Sequence, residues 1–151
     1  MTAEISLREA NVEDLEQICR IERRSFSDPY PRDLLRMLIV TSHVFLVAEL
    51  KNGGIAGYVC GLIENMQNAR VGHIVSIAVD PSFRHRGIGT RLLREAILRL
   101  KERGAKSVIL ECRESNIVAM RLYEKLGFKK VCRIPHYYED GEDAIVFKLD
   151  L

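Results

Sequence analysis

Residues 76–90 have the sequence SIAVDPSFRHRGIGT, in which an apolar strand runs through a basic, glycine-containing turn into a helix. Gly87 and Gly89 let the backbone approach a ligand closely. The first amides of the helix have no partners within it, so they can donate hydrogen bonds to phosphate oxygens at the positive end of the helix dipole. This stretch therefore predicts a site for a phosphate-bearing ligand.

Length and composition fit one domain, residues 1–151, because 47% of the 151 residues are hydrophobic and can form a single core. The net charge is +2, which does not favour a nucleic-acid partner. The four cysteines lack zinc spacing, so we expect reduced, mostly buried thiols and no metal site. No leader or membrane-spanning segment is evident in the sequence, which favours a cytoplasmic protein without a membrane partner.

Hydrophobic periodicity predicts the element order β-α-α-β-β-β-α-β-α-β-β. This order indicates an α/β (α+β) fold with a mixed sheet of about seven strands flanked by about four helices. Asn11 is expected to cap the first helix, which would bury Val12, Leu15, Ile18 and Cys19 along one face. The Pro and Gly residues are assigned to turns within this one domain.

Two more motifs follow the glycine turn, Glu111-Cys-Arg-Glu-Ser-Asn116 and Ala119-x-x-x-Tyr123-Glu-Lys-Leu-Gly-Phe128. Together with Arg84-x-x-Gly87-x-Gly89, they make the chain resemble the GNAT family of N-acetyltransferases over essentially its whole length. The first motif alone would be weak, because glycine turns precede helices in many proteins. Residues 24–30, 72–79 and 136–144 further resemble the N-terminal amino-acetyltransferases, which include ribosomal-protein alanine acetylases and broad-specificity archaeal enzymes.

The resemblance implies acetyl-CoA as co-substrate, with no metal required. Amides of the glycine turn would hold the pyrophosphate, with Arg84 and Arg86 adding positive charge. The resemblance also implies that the sheet is splayed at the edge of the preceding strand, which would pair with pantetheine as an added strand does. Asn116 would contact a pantetheine amide, although a simple helix cap remains an alternative. The residues expected to bind the co-substrate are Ile77, Ala78, Val79, Arg84, His85, Arg86, Gly87, Ile88, Gly89, Thr90, Asn116 and Tyr123.

The expected catalytic residues are His73, Glu111 and Tyr123. A histidine of pKa about 6.5, or a water that it holds, is an adequate base for an α-amine of pKa about 8. Simple strand alternation places His73 on the same face as Ile77, and Glu111 resembles the family position that helps to hold a catalytic water. Tyr123 would protonate the departing thiolate or position it, while core packing is its alternative role. An amide near Val79, where the family has a strand bulge, would meet the oxyanion.

Four aromatic residues are expected to bind the acceptor: Phe26, Tyr30, Tyr137 and Tyr138. They lie in two irregular segments that flank the peptide entrance in the family, and tyrosine can contact both apolar side chains and peptide backbone. Aromatic residues that merely cover the end of the sheet would look the same. Asp28 occupies the position where some relatives have a longer glutamate.

The preferred interpretation is transfer of an acetyl group from acetyl-CoA to the α-amino group of protein N-termini, by direct attack in a ternary complex. Ribosomal proteins are among the candidate substrates. Lysine side chains, polyamines and other small amines are alternative acceptors. A non-catalytic regulatory module that binds acyl-CoA is the second alternative. An auxiliary subunit is compatible with the sequence, which neither requires nor reveals one.

Overall fold

The computed structural model describes residues 4–151 and contains one seven-stranded sheet with four α-helices. The strands are β1 (Ile5–Glu9), β2 (Val44–Leu50), β3 (Ile55–Met66), β4 (Ala69–Val79), β5 (Ser107–Arg113), β6 (Lys129–Ile134) and β7 (Ala144–Asp150). The helices are α1 (Leu15–Ser25), α2 (Arg32–Thr41), α3 (Ile88–Glu102) and α4 (Ile117–Lys125). This order confirms the predicted fold class.

The sheet has the order β1-β2-β3-β4-β5-β7-β6, and only β4 and β5 run parallel to each other. These two strands pair only from Val71 opposite Ser107 to Ile74 opposite Leu110, and then they separate. We call the opening between residues 75–79 of β4 and residues 111–113 of β5 the wedge. A ligand can therefore enter the middle of the sheet.

Two hydrophobic clusters cover the two faces of the sheet, because successive side chains of a strand point to opposite faces. On β2, Leu46 belongs to the cluster that contains α3 and α4, while Val47 belongs to the cluster that contains α1 and α2. Both side chains are fully buried, and burial of each contributes roughly 1.5–3 kcal/mol. The helices thus fix the sheet from both sides and leave the wedge accessible.

The chain enters α1 through a short 3-10 turn, Val12–Asp14, which the periodicity did not predict. The Asn11 side chain accepts a hydrogen bond from the Glu13 amide, and the Asp14 carboxylate accepts one from the Asn11 amide. Asn11 therefore caps the 3-10 turn, whereas the cap position of α1 itself is Asp14. The prediction that Val12 joins the buried face is wrong, because the tighter turn moves it away from that face and leaves it 49% exposed.

A bulge interrupts β4. Ser76 lies opposite Cys60, but the next pair is Ile74 with Gly61, so Val75 is an extra residue without a partner. It reverses the alternation of side chains along the strand, and the prediction that His73 and Ile77 share a face is therefore wrong. The bulge also lies four residues before Val79, near which it was expected.

Cys132 is exposed, whereas Cys19, Cys60 and Cys112 are buried. Within residues 4–151, no helix is long and apolar enough to cross a membrane. In the same part of the chain, no three or more His, Cys, Asp or Glu side chains are arranged to hold a metal ion.

Candidate active site

A cleft of about 670 Å³ occupies the wedge and continues past the start of α3 and the α1–α2 loop. Most of the predicted site residues line this one cleft: Phe26, Tyr30, Ile77, Ala78, Val79, Arg84, His85, Gly87, Ile88, Gly89, Thr90, Glu111, Asn116, Tyr123 and Tyr138. His73, Arg86 and Tyr137 lie outside the lining, although His73 and Tyr137 both contact Glu111.

The turn before α3 contains two residues with left-handed backbone conformation. Gly87 has φ +78° at the start of the helix, and His85 has φ +64° although it is not glycine. Apart from Gly87 and its two chain neighbours, no residue has a non-hydrogen atom within 4 Å of the point where a Cβ on Gly87 would stand, so this position faces open space. Ile88, Gly89 and Thr90 at the start of α3 line the cleft, and since the first amides of a helix have no partners within it, this is a suitable arrangement for an anion site.

The two arginines of the turn mainly contact the protein itself. Nε of Arg84 donates to the Val79 carbonyl oxygen at 3.0 Å, and its Nη2 donates to Ser25 Oγ at 3.4 Å. The guanidinium of Arg86 lies over the Phe83 ring, 5.5 Å from its centroid. In this structure Arg84 fixes the shape of the turn, and a direct contact of either arginine with pyrophosphate stays a prediction.

The β4 edge presents peptide groups to the wedge, and of these the Val79 carbonyl oxygen already accepts a hydrogen bond from Arg84. The Asp80 amide donates to the Ala56 carbonyl on the β3 side at 2.8 Å. Peptide groups of successive residues in a strand point to opposite edges, so those of Val79 and Ile77 point away from β3 and into the wedge. An extended ligand with amide groups can pair there as an added strand.

The opposite wall holds Asn116 and Tyr123. Asn116 Oδ1 accepts a hydrogen bond from the Ala119 amide at 3.1 Å, so Asn116 caps α4 while its side-chain NH₂ remains available to a ligand. The Tyr123 ring packs against Phe128 and Phe147, and burial raises the pKa of its phenol. Tyr123 therefore packs in the core and also lines the cleft, and its role in catalysis stays a prediction. The raised pKa favours the protonated phenol, which can donate a hydrogen bond.

His73 lies between two carboxylates at the acceptor end of the cleft. Its Nε2 is 2.9 Å from both carboxylate oxygens of Glu111, and its Nδ1 is 3.0 Å from Glu64 Oε1. The hydrogen bond to Glu111, with a smaller contribution from Glu64, raises the pKa of His73 to about 9 although burial opposes the shift. The two carboxylates therefore favour the protonated imidazole, while a role of His73 as the base stays a prediction.

Aromatic side chains surround Glu111. Tyr137 donates its hydroxyl to Glu111 Oε1 at 3.4 Å, and the Tyr137 and Tyr138 rings meet edge to face with centroids 5.0 Å apart. Phe26 and Tyr30 line the cleft from the α1–α2 loop. The fold thus brings the four predicted acceptor-binding residues to the same end of the cleft as Glu111.

Residues 13–128 match the acetyltransferase (GNAT) family. The chain belongs to this family. It is 39% identical to an N-alpha-acetyltransferase of Sulfurisphaera tokodaii, over 98% of this chain and 94% of that protein.

Two solved structures share the fold of this GNAT protein. The ribosomal-protein-S18-alanine N-acetyltransferase from Escherichia coli superposes with a TM-score of 0.85 and 28% identity, over 97% of this chain and 94% of that one. A chain of the NatC complex bound to Gag peptide and CoA superposes with a TM-score of 0.90 and 25% identity, over 98% of this chain and 99% of that one.

Sequence reasoning missed Arg113, which joins the two loops at the acceptor end of this GNAT cleft. Its guanidinium is 3.0 Å from Asp28 of the α1–α2 loop, 2.8 Å from Asp140 and 2.9 Å from Glu142 of the β6–β7 loop. It also lies over the Tyr138 ring, 4.2 Å from the centroid. Its place two residues after Glu111 on one strand could have identified it, because such residues share a face.

Sequence reasoning also missed Glu22, a carboxyl group near the end of α1 that lines the cleft and is only 2% exposed. It accepts hydrogen bonds from the Tyr30 amide at 2.8 Å and from the Tyr58 hydroxyl. Burial raises the pKa of this carboxyl group. A charged residue four positions after Ile18, on the apolar face of the helix, was the available signal.

Proposed function

We propose that this acetyltransferase transfers the acetyl group of acetyl-CoA to the α-amino group of protein N-termini, by direct attack within a ternary complex. The observation that carries the proposal is the continuity of the cleft, which begins at the anion-binding turn around Gly87 and ends at Glu111. The names of the relatives, an N-alpha-acetyltransferase and a ribosomal-protein alanine acetyltransferase, support the same acceptor class. Ribosomal proteins are accordingly among the proposed substrates.

In the proposed mechanism Glu111, directly or through a water, accepts the proton that the attacking amine loses. His73 stays protonated and holds the Glu111 carboxylate at 2.9 Å, so it orients the base. The new bond joins the amine nitrogen to the thioester carbonyl carbon, and the bond from that carbon to sulfur breaks. Backbone N–H groups at the β4 edge are suited to donate hydrogen bonds to the oxyanion that forms on the carbonyl oxygen.

In this proposal the Tyr123 phenol donates a hydrogen bond to the departing sulfur of CoA. The raised pKa of its phenol opposes full proton transfer to a thiolate, whose ordinary pKa is about 8.5. A hydrogen bond from the phenol still stabilises the developing negative charge. The thiolate then receives its proton from this bond or from solvent.

Two of the alternatives, small polyamines and a non-catalytic module, have less support from the site. The tyrosines around Glu111 can contact peptide backbone as well as side chains, which favours an extended peptide over a small polyamine. The pair formed by Glu111 and His73 supplies a base at the end of the cleft, which favours turnover over a non-catalytic binding module.

The test is acetylation of a peptide library that starts with Ser, Ala, Met or Thr, followed by mass spectrometry. Each peptide contains an internal lysine and has a matched control with a blocked N-terminus. We expect acetylation of the α-amine and none of the blocked controls. Acetylation confined to lysine or polyamines would assign another acceptor, and acetyl-CoA binding without transfer to any amine would indicate a regulatory module.

A further inference from the structure

A buried chain of hydrogen bonds connects α1 to the bulge in β4. Tyr58 is fully buried on β3 and donates its hydroxyl proton to Glu22 Oε1. The Tyr58 oxygen also lies 3.0 Å from Ser76 Oγ, immediately after the bulge. Since the single hydroxyl proton of Tyr58 is given to Glu22, Ser76 donates its own proton to Tyr58.

The other carboxyl oxygen of Glu22 contacts the α1–α2 loop, which lines the part of the cleft proposed to bind the acetyl acceptor. Its Oε2 accepts a hydrogen bond from the Tyr30 amide at 2.8 Å, which fixes the α1–α2 loop. The Tyr30 hydroxyl then donates to the carbonyl oxygen of Val75, the extra residue of the bulge, at 3.4 Å. One carboxyl group therefore contacts the acceptor loop directly and reaches the donor strand through Tyr58.

This arrangement is costly for stability alone. A carboxyl group that is 2% exposed loses most of its hydration, and well-packed apolar residues commonly stabilise such a position better than polar groups do. Its direct partners are Tyr30 of the α1–α2 loop and Tyr58 of β3, and Tyr58 extends the contact to Ser76 of β4. The loop and β4 line the cleft, and they must be correctly placed relative to each other when acceptor and donor react. A polar group retained there is better explained by positioning than by stability.

We propose that Glu22 is a positioning residue that uses its two carboxyl oxygens to set the acceptor loop, residues 26–31, against the bulged segment of β4, residues 74–79. The expected change in kcat and KM rests on the proposed function. The expected change in backbone hydrogen exchange does not depend on which acceptor is used. Glu22→Gln tests it, since the amide replaces one of the two acceptor oxygens with an NH₂ donor, so Tyr30 and Tyr58 can no longer donate to one oxygen each. Tyr58→Phe removes only the connection to β4.

The first readout is backbone hydrogen exchange of the protein without ligand, followed by mass spectrometry. We expect Glu22→Gln to accelerate exchange in residues 26–31 and 74–79, and Tyr58→Phe to accelerate it in residues 74–79 alone. Asn11→Ala, which removes a cap on the same side of the sheet far from the cleft, is the matched control for general loss of stability. Identical exchange in the control and in both variants would overturn the inference.

The second readout is kinetic. We expect Glu22→Gln to lower kcat about tenfold and to raise the KM for peptide, because reacting groups lose their alignment, while acetyl-CoA affinity stays within about twofold. Tyr58→Phe should lower kcat without changing the KM for peptide. If Glu22→Gln does not fold, Tyr58→Phe alone tests the kinetic prediction. Unchanged kcat in both variants would overturn the inference. If wild type acetylates no peptide, the proposed function fails while the exchange experiment still decides the role of Glu22.

Discussion

His73 shows how two neighbours change the chemistry of one residue. A histidine alone is suited to accept a proton near neutral pH, but here Glu64 and Glu111 hold it in the charged form. These contacts favour the protonated form of His73, so the proposed mechanism assigns the base to Glu111 and an orienting role to His73. Contacts between β3, β4 and β5 decide this, and they are not visible in the order of residues along the chain.

The charge of His73 gives stability that depends on pH. Its pKa is raised from 6.5 to about 9, so its contribution is complete below pH 6.5 and disappears as the pH rises through about 9. We expect His73→Gln to lower the free energy of unfolding by on the order of 1–2 kcal/mol at pH 6, allowing for solvent screening. Urea unfolding of both proteins should show the difference shrinking toward pH 10, and a constant difference would contradict the charged pair.

Glu111→Gln tests the base directly. The amide keeps the size of the side chain but cannot accept the proton of the amine, so we expect kcat to fall by about a hundredfold or more. Acetyl-CoA affinity, measured by calorimetry, should not change. Tyr137→Phe is the control because it removes a hydrogen bond to Glu111 and leaves the carboxylate in place. A kcat for Glu111→Gln equal to that of the control would remove Glu111 from the mechanism.

At the scale of elements, two helix starts provide the donor side of the cleft. α3 begins at a left-handed glycine, and α4 begins at an asparagine that caps it. In each case the local feature that ends the loop also leaves hydrogen-bond donors that face the cleft. These features could be predicted from sequence because caps and glycine turns are local.

Gly87→Glu should abolish most acetyl-CoA affinity, because a negative charge would repel pyrophosphate. Gly87→Ala is the matched control for backbone strain at φ +78°, which costs roughly 1 kcal/mol without adding charge. Calorimetry should show a much larger loss of affinity in Gly87→Glu than in Gly87→Ala. Equal losses would mean that strain alone explains the effect and that no anion binds at this turn.

Asn116→Asp separates capping from ligand binding. Aspartate caps helices as well as asparagine does, so the melting temperature should remain close to that of wild type. It lacks the NH₂ group that faces the cleft, so we expect weaker binding of acetyl-CoA. Asn116→Ala should lose both properties. An acetyl-CoA affinity unchanged in Asn116→Asp would reduce Asn116 to a helix cap.

The bulge in β4 marks the limit of prediction at this scale. The strand itself was predicted from its apolar run, but one extra residue, Val75, moved His73 to the opposite face from Ile77. The position of a bulge depends on pairing with β3, which is a non-local property. The partners of Arg113 and Glu22 also lie on other elements, so local patterns could have marked these residues as candidates but could not have shown what they contact.

At the scale of the whole molecule, the sheet consists of two parts, β1–β4 and β5–β7, joined by only four residue pairs between β4 and β5. The order of elements and the two-sided arrangement of helices followed from hydrophobic periodicity. The separation of the two parts did not, because nothing in the pattern of either strand shows where their pairing ends.

A ligand that binds the wedge should stabilise the whole domain. We expect acetyl-CoA at about a hundred times its Kd to add about 2.7 kcal/mol to the free energy of unfolding, with a corresponding rise in melting temperature. Acetyl-pantetheine at the same concentration should give a smaller shift, because it lacks the pyrophosphate that the turn around Gly87 would hold. Equal shifts with the two ligands would contradict an anion site at that turn.

The wedge also bears on self-association. A strand edge with free peptide groups is ordinarily a template on which another chain adds a strand. Here β4 and β5 diverge at an angle, and Arg84 and Tyr30 already donate to the carbonyl oxygens of Val79 and Val75. The gap is suited to a thin, flexible molecule and offers no flat, continuous edge to a foreign strand, so the protein can keep unpaired backbone open to solvent without acting as a seed for aggregation.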